Sequence, residues 1–280
     1  MKVMGMNFVL GDQWDVLSKY SSNSFKKTNP DIPFVSVDFN DSKFHSWKSY
    51  NMYYTDKDSP YYEDRISEYN NIGPLKNQVQ LECMEKYDVD ILIALGADVI
   101  TCGSWDWVKE VQDCDILFTE DIKYPYNPDV QVVFNKKYYE ACNETWLTAH
   151  ETNTLVNDIC GMSQKVHGEM ATGCAVFSSD SYKIISIPMH EYRQSVTQCF
   201  NKNGRWKIPF IQWSEEKKGW FDSNGGEFLT FHIQCGLGEC RNDYDRFQRI
   251  WNGCIDYHRE GSFLTDDNAW NHFQSLLGRE

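Results

Sequence analysis

The stretch Ile91-Leu92-Ile93-Ala94-Leu95-Gly96-Ala97-Asp98 constrains this chain more than any other, because an unbroken apolar run empties into a small, polar turn. Five consecutive apolar residues without alternation leave no face for water, so Ile91–Leu95 reads as a strand buried on both sides of a largely parallel sheet and entered from a helix. In open α/β sheets, ligands bind outside the carboxyl ends of such strands. Gly96-Ala97 there lets backbone approach a phosphate, and Asp98 supplies a carboxylate. A strand-end Asp also serves simply to cap a turn, and that reading stays open.

Met4–Leu10 is expected as the first strand, broken at Gly11-Asp12 before a helix that turns Trp14, Leu17 and Tyr20 to the core. Phe34–Phe39 alternates and gives a second strand, whereas residues 40–70, rich in Asp, Ser, Asn and Tyr, read as loop. Gly73-Pro74 opens a helix with Leu75, Val79 and Cys83 on one stripe. Beyond Asp98 the pattern predicts a helix over 104–112, strands at Asp115–Thr119 and Val130–Phe134, and a helix from Tyr138 to Met162. Small residues over 168–178 then enter an apolar strand, in a turn that brings a ligand close to backbone. Phe228–Ile233 is the last expected strand, leading into Gln234-Cys235-Gly236-Leu237-Gly238, and helices follow at 244–258 and 267–277. Strands and helices alternate, so the expected class is α/β: a mixed, mostly parallel central sheet flanked by helices, with a helical C-terminus. The main domain is expected over 1–242, with 243–280 as a helical extension packed on it.

With 280 residues, 41% of them hydrophobic, the chain can bury a sizeable core and is not disordered. A formal charge of -14 opposes a broad basic footprint for nucleic acid. Residues 201–220 reverse that balance locally, setting Lys202, Arg205, Lys207, Lys217 and Lys218 beside Trp206, Trp213 and Trp220. They read as a solvated mixed-charge loop or as a patch that holds a nucleic-acid strand. Trp105, Trp107, Tyr124, Tyr126, Trp213 and Trp220 stand near expected loops, where they stack on sugar rings or bases or, for most of them, pack. Ten cysteines without a CxxC pair or a cleavable signal peptide imply reduced thiols and a cytoplasmic location. No apolar run approaches the ~20 residues of a membrane span, so no membrane partner is expected. The chain has no Walker-type loop, no GxGxxG after the first strand, no nucleophile elbow and no HExxH, which weakens kinase, dehydrogenase, hydrolase and zinc-protease readings.

Asp98 and His232 stand at the ends of two expected strands. A carboxylate with an imidazole suits Mn2+ or Mg2+ if diphosphate oxygens complete the shell. A histidine on an apolar strand is equally a hydrogen-bonded core residue.

Three motifs in order resemble the GT-A glycosyltransferases, which use a nucleotide sugar and a divalent metal. Tyr87-Asp88 precedes Leu95-Gly96-Ala97-Asp98-Val99, similar to the family's Tyr-Asp-x-x-x-x-Leu-Asp-Ala-Asp-Val. Ala171-Thr172-Gly173-Cys174-Ala175-Val176-Phe177 resembles its strand beside the donor sugar, and Phe231-His232-Ile233-Gln234-Cys235-Gly236 resembles its late metal-binding histidine and glycine turn. The departures are Gly96 in place of the first aspartate of the metal pair, Ala171 in place of asparagine, and no Lys-Pro pair after His232.

The resemblance implies a GT-A-like fold and a metal held by Asp98 and His232. It implies a nucleotide-sugar donor held by Leu10, Gly11, Asp12, Lys76, Gly96, Ala97, Thr172, Gly173 and Gly236. An inverting enzyme would also need a base, for which Glu169, Asp121 and Glu216 are candidates. Lys76 is otherwise a solvated helix charge, Asp12 a helix cap, and Glu169 a hydroxyl-binding or surface carboxylate. Compactness and reduced cysteines resemble small phage or virus members, which act in the host cytoplasm. The acceptor is then a glycan or a hydroxymethylated DNA base, and the alternative is a non-catalytic nucleotide- or sugar-binding module with a degenerate metal site.

Overall fold

A computed structural model describes residues 1–9, 15–38, 72–119, 127–151, 172–173, 175–176, 186–188, 196–198, 211–222, 229–232, 271–272 and 275–278. The chain forms two compact units, each assembled from separated segments. One comprises Met1–Met4, Asp38–Ala94 and Val108–Pro188; the other comprises Gly5–Val37, Leu95–Trp107 and Met189–Glu280.

The described strands are β1 (Val3–Val9), β2 (Phe34–Asp38), β3 (Ile91–Leu95), β4 (Val99–Thr101), β5 (Ile116–Thr119), β6 (Asn127–Val133), β7 (Ser186–Pro188), β8 (Val196–Gln198), β9 (Ile211–Ser214), β10 (Gly219–Asp222) and β11 (Thr230–His232). The α-helices are α1 (Asp15–Thr28), α2 (Ile72–Tyr87) and α3 (Lys137–Glu151). Six strands form a sheet in the order β2-β1-β3-β6-β5-β7; three form a second sheet in the order β4-β11-β8, and β9 and β10 form a hairpin. The class is the expected α/β, with a mixed, mostly parallel central sheet and flanking helices.

The first unit is built on β3, whose Ile91, Leu92, Ile93 and Ala94 are all buried. Burial on both faces is what an unbroken apolar strand requires. Helices α2 and α3 pack together, contributing buried Val79, Cys83 and Met84 from one and Tyr138, Tyr139, Ala141 and Cys142 from the other. Burial pushes the Cys83 thiol up to about 12, against a smaller opposing pull from Lys86, so it behaves as a small core hydrophobe. Cys83, Cys102, Cys114 and Cys142 are not joined in disulfides.

Helix α2 ends where Asp88 turns left-handed, at φ 52°. The Asp88 N–H donates to the Glu85 carbonyl at 3.3 Å and the Val89 N–H to that of Met84 at 2.9 Å, a Schellman closure. Lys2 bonds the Asp88 carboxylate at 2.8 Å, which lowers its pKa.

In the second unit Gly5 lies between Phe25 and Phe34, two rings 4.7 Å apart. Its N–H donates to the Pro33 carbonyl at 2.8 Å. Residues 271–272 and 275–277 are helical, as the sequence leads one to expect near the C-terminus. Asn23 and Lys27 of α1 reach the Leu277 and Ser275 carbonyls of this segment.

Two expected elements differ. The helix over 104–112 is only a short 3₁₀ turn, Asp106–Glu110. The residues before it are tied down elsewhere, with the Trp105 N–H held by Asn29 and the Gly103 N–H by Leu229. Within the run read as a strand over 168–178, Thr172, Gly173, Ala175 and Val176 are helical. A short run of Ala, Thr, Gly, Cys and Val fits either conformation, since periodicity alone does not separate the two. The expected loop over 40–70 and the helix over 244–258 lie outside the described residues. No described helix is long and apolar enough to cross a membrane.

Candidate metal and donor site

Strand β3 ends at Leu95, and the chain turns through Gly96, Ala97 and Asp98 into β4. Gly96 and Ala97 are buried, and Asp98 is half-buried. The turn closes through the Val99 N–H, which donates to the Gly96 carbonyl at 3.1 Å.

Strand β4 pairs antiparallel with β11, aligning Thr101 with Thr230, Ile100 with Phe231 and Val99 with His232. The Cys102 N–H donates to the Leu229 carbonyl at 2.8 Å, whereas the Thr101 N–H goes to Ser24, away from β11. Thr101 and Thr230 are therefore a non-hydrogen-bonded pair, and alternation makes Val99 and His232 another, with Cα atoms about 4.5 Å apart. His232 thus stands one residue along from Asp98 on the facing strand. Two positions far apart in sequence, singled out as metal ligands, meet at one end of a two-strand pairing.

A carboxylate and an imidazole are a donor pair that suits a hard divalent cation. One carboxylate and one imidazole leave most of a six-ligand sphere to phosphate oxygens and water. Among the described residues no group of three His, Cys, Asp or Glu side chains stands together to hold an ion alone.

Helix α1 lies against this turn with a polar face. Ser18, Ser21, Ser24 and Asn29 are all buried. The Ser21 hydroxyl donates to the Gly96 carbonyl at 3.5 Å, and the Ser24 oxygen accepts the Thr101 N–H at 3.0 Å while its hydroxyl donates to the Ser21 carbonyl at 2.8 Å. Asn29 Oδ1 accepts the Trp105 N–H at 2.6 Å, and its Nδ2 donates to the Gly103 carbonyl at 3.3 Å. None of these residues was expected to be functional. The available signal was a helix that mixes several serines with Tyr20 and Phe25 at its buried positions.

The remaining expected residues are placed as follows. Lys76, on α2, forms a half-buried ion pair with Asp129 of β6 at 2.9 Å. Thr172 and Gly173 are buried, in the same unit as Lys76. Gly96, Ala97, Asp98 and His232 belong to the other unit. Leu10, Gly11, Asp12, Asp121, Glu169 and Gly236 lie outside the described residues, as do Tyr124, Tyr126, Lys202, Arg205, Trp206 and Lys207. Glu216 is exposed on the β9–β10 turn.

The described part of 201–220 is this hairpin, and its charges are spent locally. Lys218 bonds Glu215 Oε2 at 2.8 Å, and Lys217 lies 4.7 Å from the centre of the Phe221 ring. Glu215 Oε1 accepts the Trp213 indole N–H at 2.9 Å and stands 3.1 Å from His272 Nε2. Trp213 stacks on His272 at 4.0 Å and meets Trp220 edge-on at 5.4 Å. Trp220 and Trp105 are fully buried, so these two tryptophans pack rather than stack on a ligand.

No protein-family model and no curated protein matches the chain. A glycosyltransferase involved in the glycosylation of the major capsid of PBCV-1 is 10% identical, with TM-score 0.49 over 88% of this chain and 100% of that one. Mouse xyloside xylosyltransferase 1, in its apo form, is 9% identical, with TM-score 0.47 over 85% of this chain and 99% of that one. The galactosyltransferase LgtC, in complex with donor and acceptor sugar analogs, is 12% identical, with TM-score 0.37 over 61% and 70% of the two chains. The chain is similar in structure to glycosyltransferases.

Proposed function

We propose that this chain is a GT-A-like glycosyltransferase that moves a sugar from a nucleotide-sugar donor to an acceptor hydroxyl. The observation that supports this best is the β4–β11 register, which sets His232 opposite Val99, the position that follows Asp98 at the end of the central apolar strand. On this reading Asp98 and His232 hold Mn2+ or Mg2+. A cation held there would supply positive charge to a diphosphate leaving group. The chain's own part is to hold a carboxylate and an imidazole on a fixed turn and, with Gly96 and Ala97, to keep bulky side chains away from the donor. Leu10, Gly11, Asp12 and Gly236 are proposed donor contacts, and Glu216 is the candidate acceptor base.

The proposed acceptor is a glycan hydroxyl. The described hairpin, 211–222, sets Lys217 and Lys218 against Glu215, Glu216 and Asp222, so it offers no net positive charge to a modified DNA base. Gly96, and the absence of a three-ligand group among the described residues, favour one second reading: a nucleotide- or sugar-binding module without turnover.

Thermal shift with a panel of nucleoside diphosphates and nucleotide sugars, in Mn2+ and in EDTA, tests both. Stabilisation by UDP or another member that needs Mn2+, with turnover of its sugar, supports the enzyme. Equal stabilisation in EDTA removes the metal, and binding with no turnover of any donor supports the module.

A further inference from the structure

From the bonds that α1 makes to the Asp98 turn, we infer that Ser21 and Ser24 are positioning residues for Asp98; this rests on the metal-site reading above. Strand β4 is the edge of its three-stranded sheet, so every second N–H on its outer side faces away from β11. Such a buried donor must find a partner, and for Thr101 that partner is the Ser24 oxygen at 3.0 Å. On the near side of the turn, the Gly96 carbonyl accepts both the Val99 N–H at 3.1 Å and the Ser21 hydroxyl at 3.5 Å.

The two serines sit three positions apart on one helix, and Ser24 also bonds the Ser21 carbonyl at 2.8 Å. One helical turn thus holds the Asp98 turn by its two ends, Gly96 before the carboxylate and Thr101 after it. Both serines are 0% exposed, where alanine would fill nearly the same space. What alanine cannot supply is the acceptor for Thr101 and the donor for Gly96. With Asp98 and His232 as the proposed ligands, and no group of three among the described residues, the hold on a cation depends on where each of the two stands.

The test compares Ser24→Ala and Ser21→Ala with Ser22→Ala, a matched control at a buried serine on the same helix. Two quantities are read: amide hydrogen exchange of the peptide covering residues 96–101, and the dissociation constant for Mn2+ alone, from loss of the free-ion electron paramagnetic resonance signal. Asp98→Asn is measured alongside. The expected result is faster exchange at 96–101 and Mn2+ binding weakened roughly fivefold to tenfold in Ser24→Ala, a smaller effect in Ser21→Ala and none in Ser22→Ala, the size of one lost hydrogen bond. Ser21→Ala, with the longer bond, carries the test if Ser24→Ala does not fold. Faster exchange with unchanged Mn2+ affinity, or equal effects from Ser22→Ala, overturns the positioning role while Asp98→Asn still loses the ion. If Asp98→Asn itself binds Mn2+ like the wild type, the metal reading falls, and the positioning role falls with it.

Discussion

Gly5 lies in the middle of β1, where a glycine ordinarily weakens a strand, and the structure shows why a side chain is excluded. A Cβ built there would stand 2.5 Å from Phe25 Cζ, 2.6 Å from Phe34 Cδ2 and 2.8 Å from Phe25 Cε1. Real Cβ atoms do not approach other heavy atoms so closely, so one of the rings must move. Phe25 is 0% exposed, its ring lies 4.7 Å from that of Phe34, and the Gly5 N–H is fixed to Pro33 at 2.8 Å.

Two effects compete in Gly5→Ala. The unfolded chain loses conformational freedom, which favours the variant by roughly 0.4–1 kcal/mol. Overpacking a tight core costs about 1–3 kcal/mol, and two rings already in contact place this site in the upper part of that range. The net expectation is destabilisation by about 1–2 kcal/mol, read as a thermal midpoint lower by about 2–8 °C. Phe25→Leu removes the atom nearest the new methyl. The double variant should therefore be more stable than the sum of the single losses, with a coupling of about 0.5–3 kcal/mol. A Gly5→Ala protein that melts at or above the wild-type temperature, or a strictly additive double variant, would refute the steric argument.

Asp98→Asn should lower transfer by roughly 10²–10³-fold, the size expected when one strong electrostatic contact is removed, with little change in melting. His232→Ala should cost less, because phosphate oxygens and water replace one neutral ligand; initial rates on a donor identified by thermal shift check both. Asn29→Ala should destabilise the fold by about 1–3 kcal/mol for the orphaned Trp105 N–H alone, measured by denaturant unfolding. Lys217→Gln with Lys218→Gln should leave the salt dependence of transfer unchanged, because both cations are engaged within the hairpin. A flattened slope on hydroxymethylated DNA would instead bring back the nucleic-acid acceptor.

The central strand and its polar end were legible because burial on both faces leaves a continuous apolar run, and nothing else in the chain looks like it. The partnership of Asp98 with His232 could be suspected from the residue types, but the register that makes them neighbours lives in β4, and three residues carry no periodic signal. The α1 contribution was hidden for another reason. Its buried face carries Ser18, Ser21, Ser22 and Ser24 beside Tyr20 and Phe25; pattern reading assigns serine to solvent, while the hydrogen bonds that justify the burial reach residues far along the chain.

The β9–β10 hairpin went unread because its turn, Glu215-Glu216-Lys217-Lys218, has no Asn-Gly or Asp-Gly. Its left-handed position is taken by Lys218, at φ 50°. At 172–176 the sequence offered small residues that suit helix and strand alike, and tertiary packing made the choice.

The segmented makeup of the two units has a consequence for synthesis. All segments of the first unit have been made once the ribosome passes Pro188, whereas the second needs both α1 and the residues around 271–278. Lys27 and the Ser275 carbonyl it bonds are separated by 248 positions. At about 5–20 residues per second, α1 waits on the order of 12–50 s for that partner. The Asp98 turn belongs to this second unit, so it is grouped with the residues that are synthesised last.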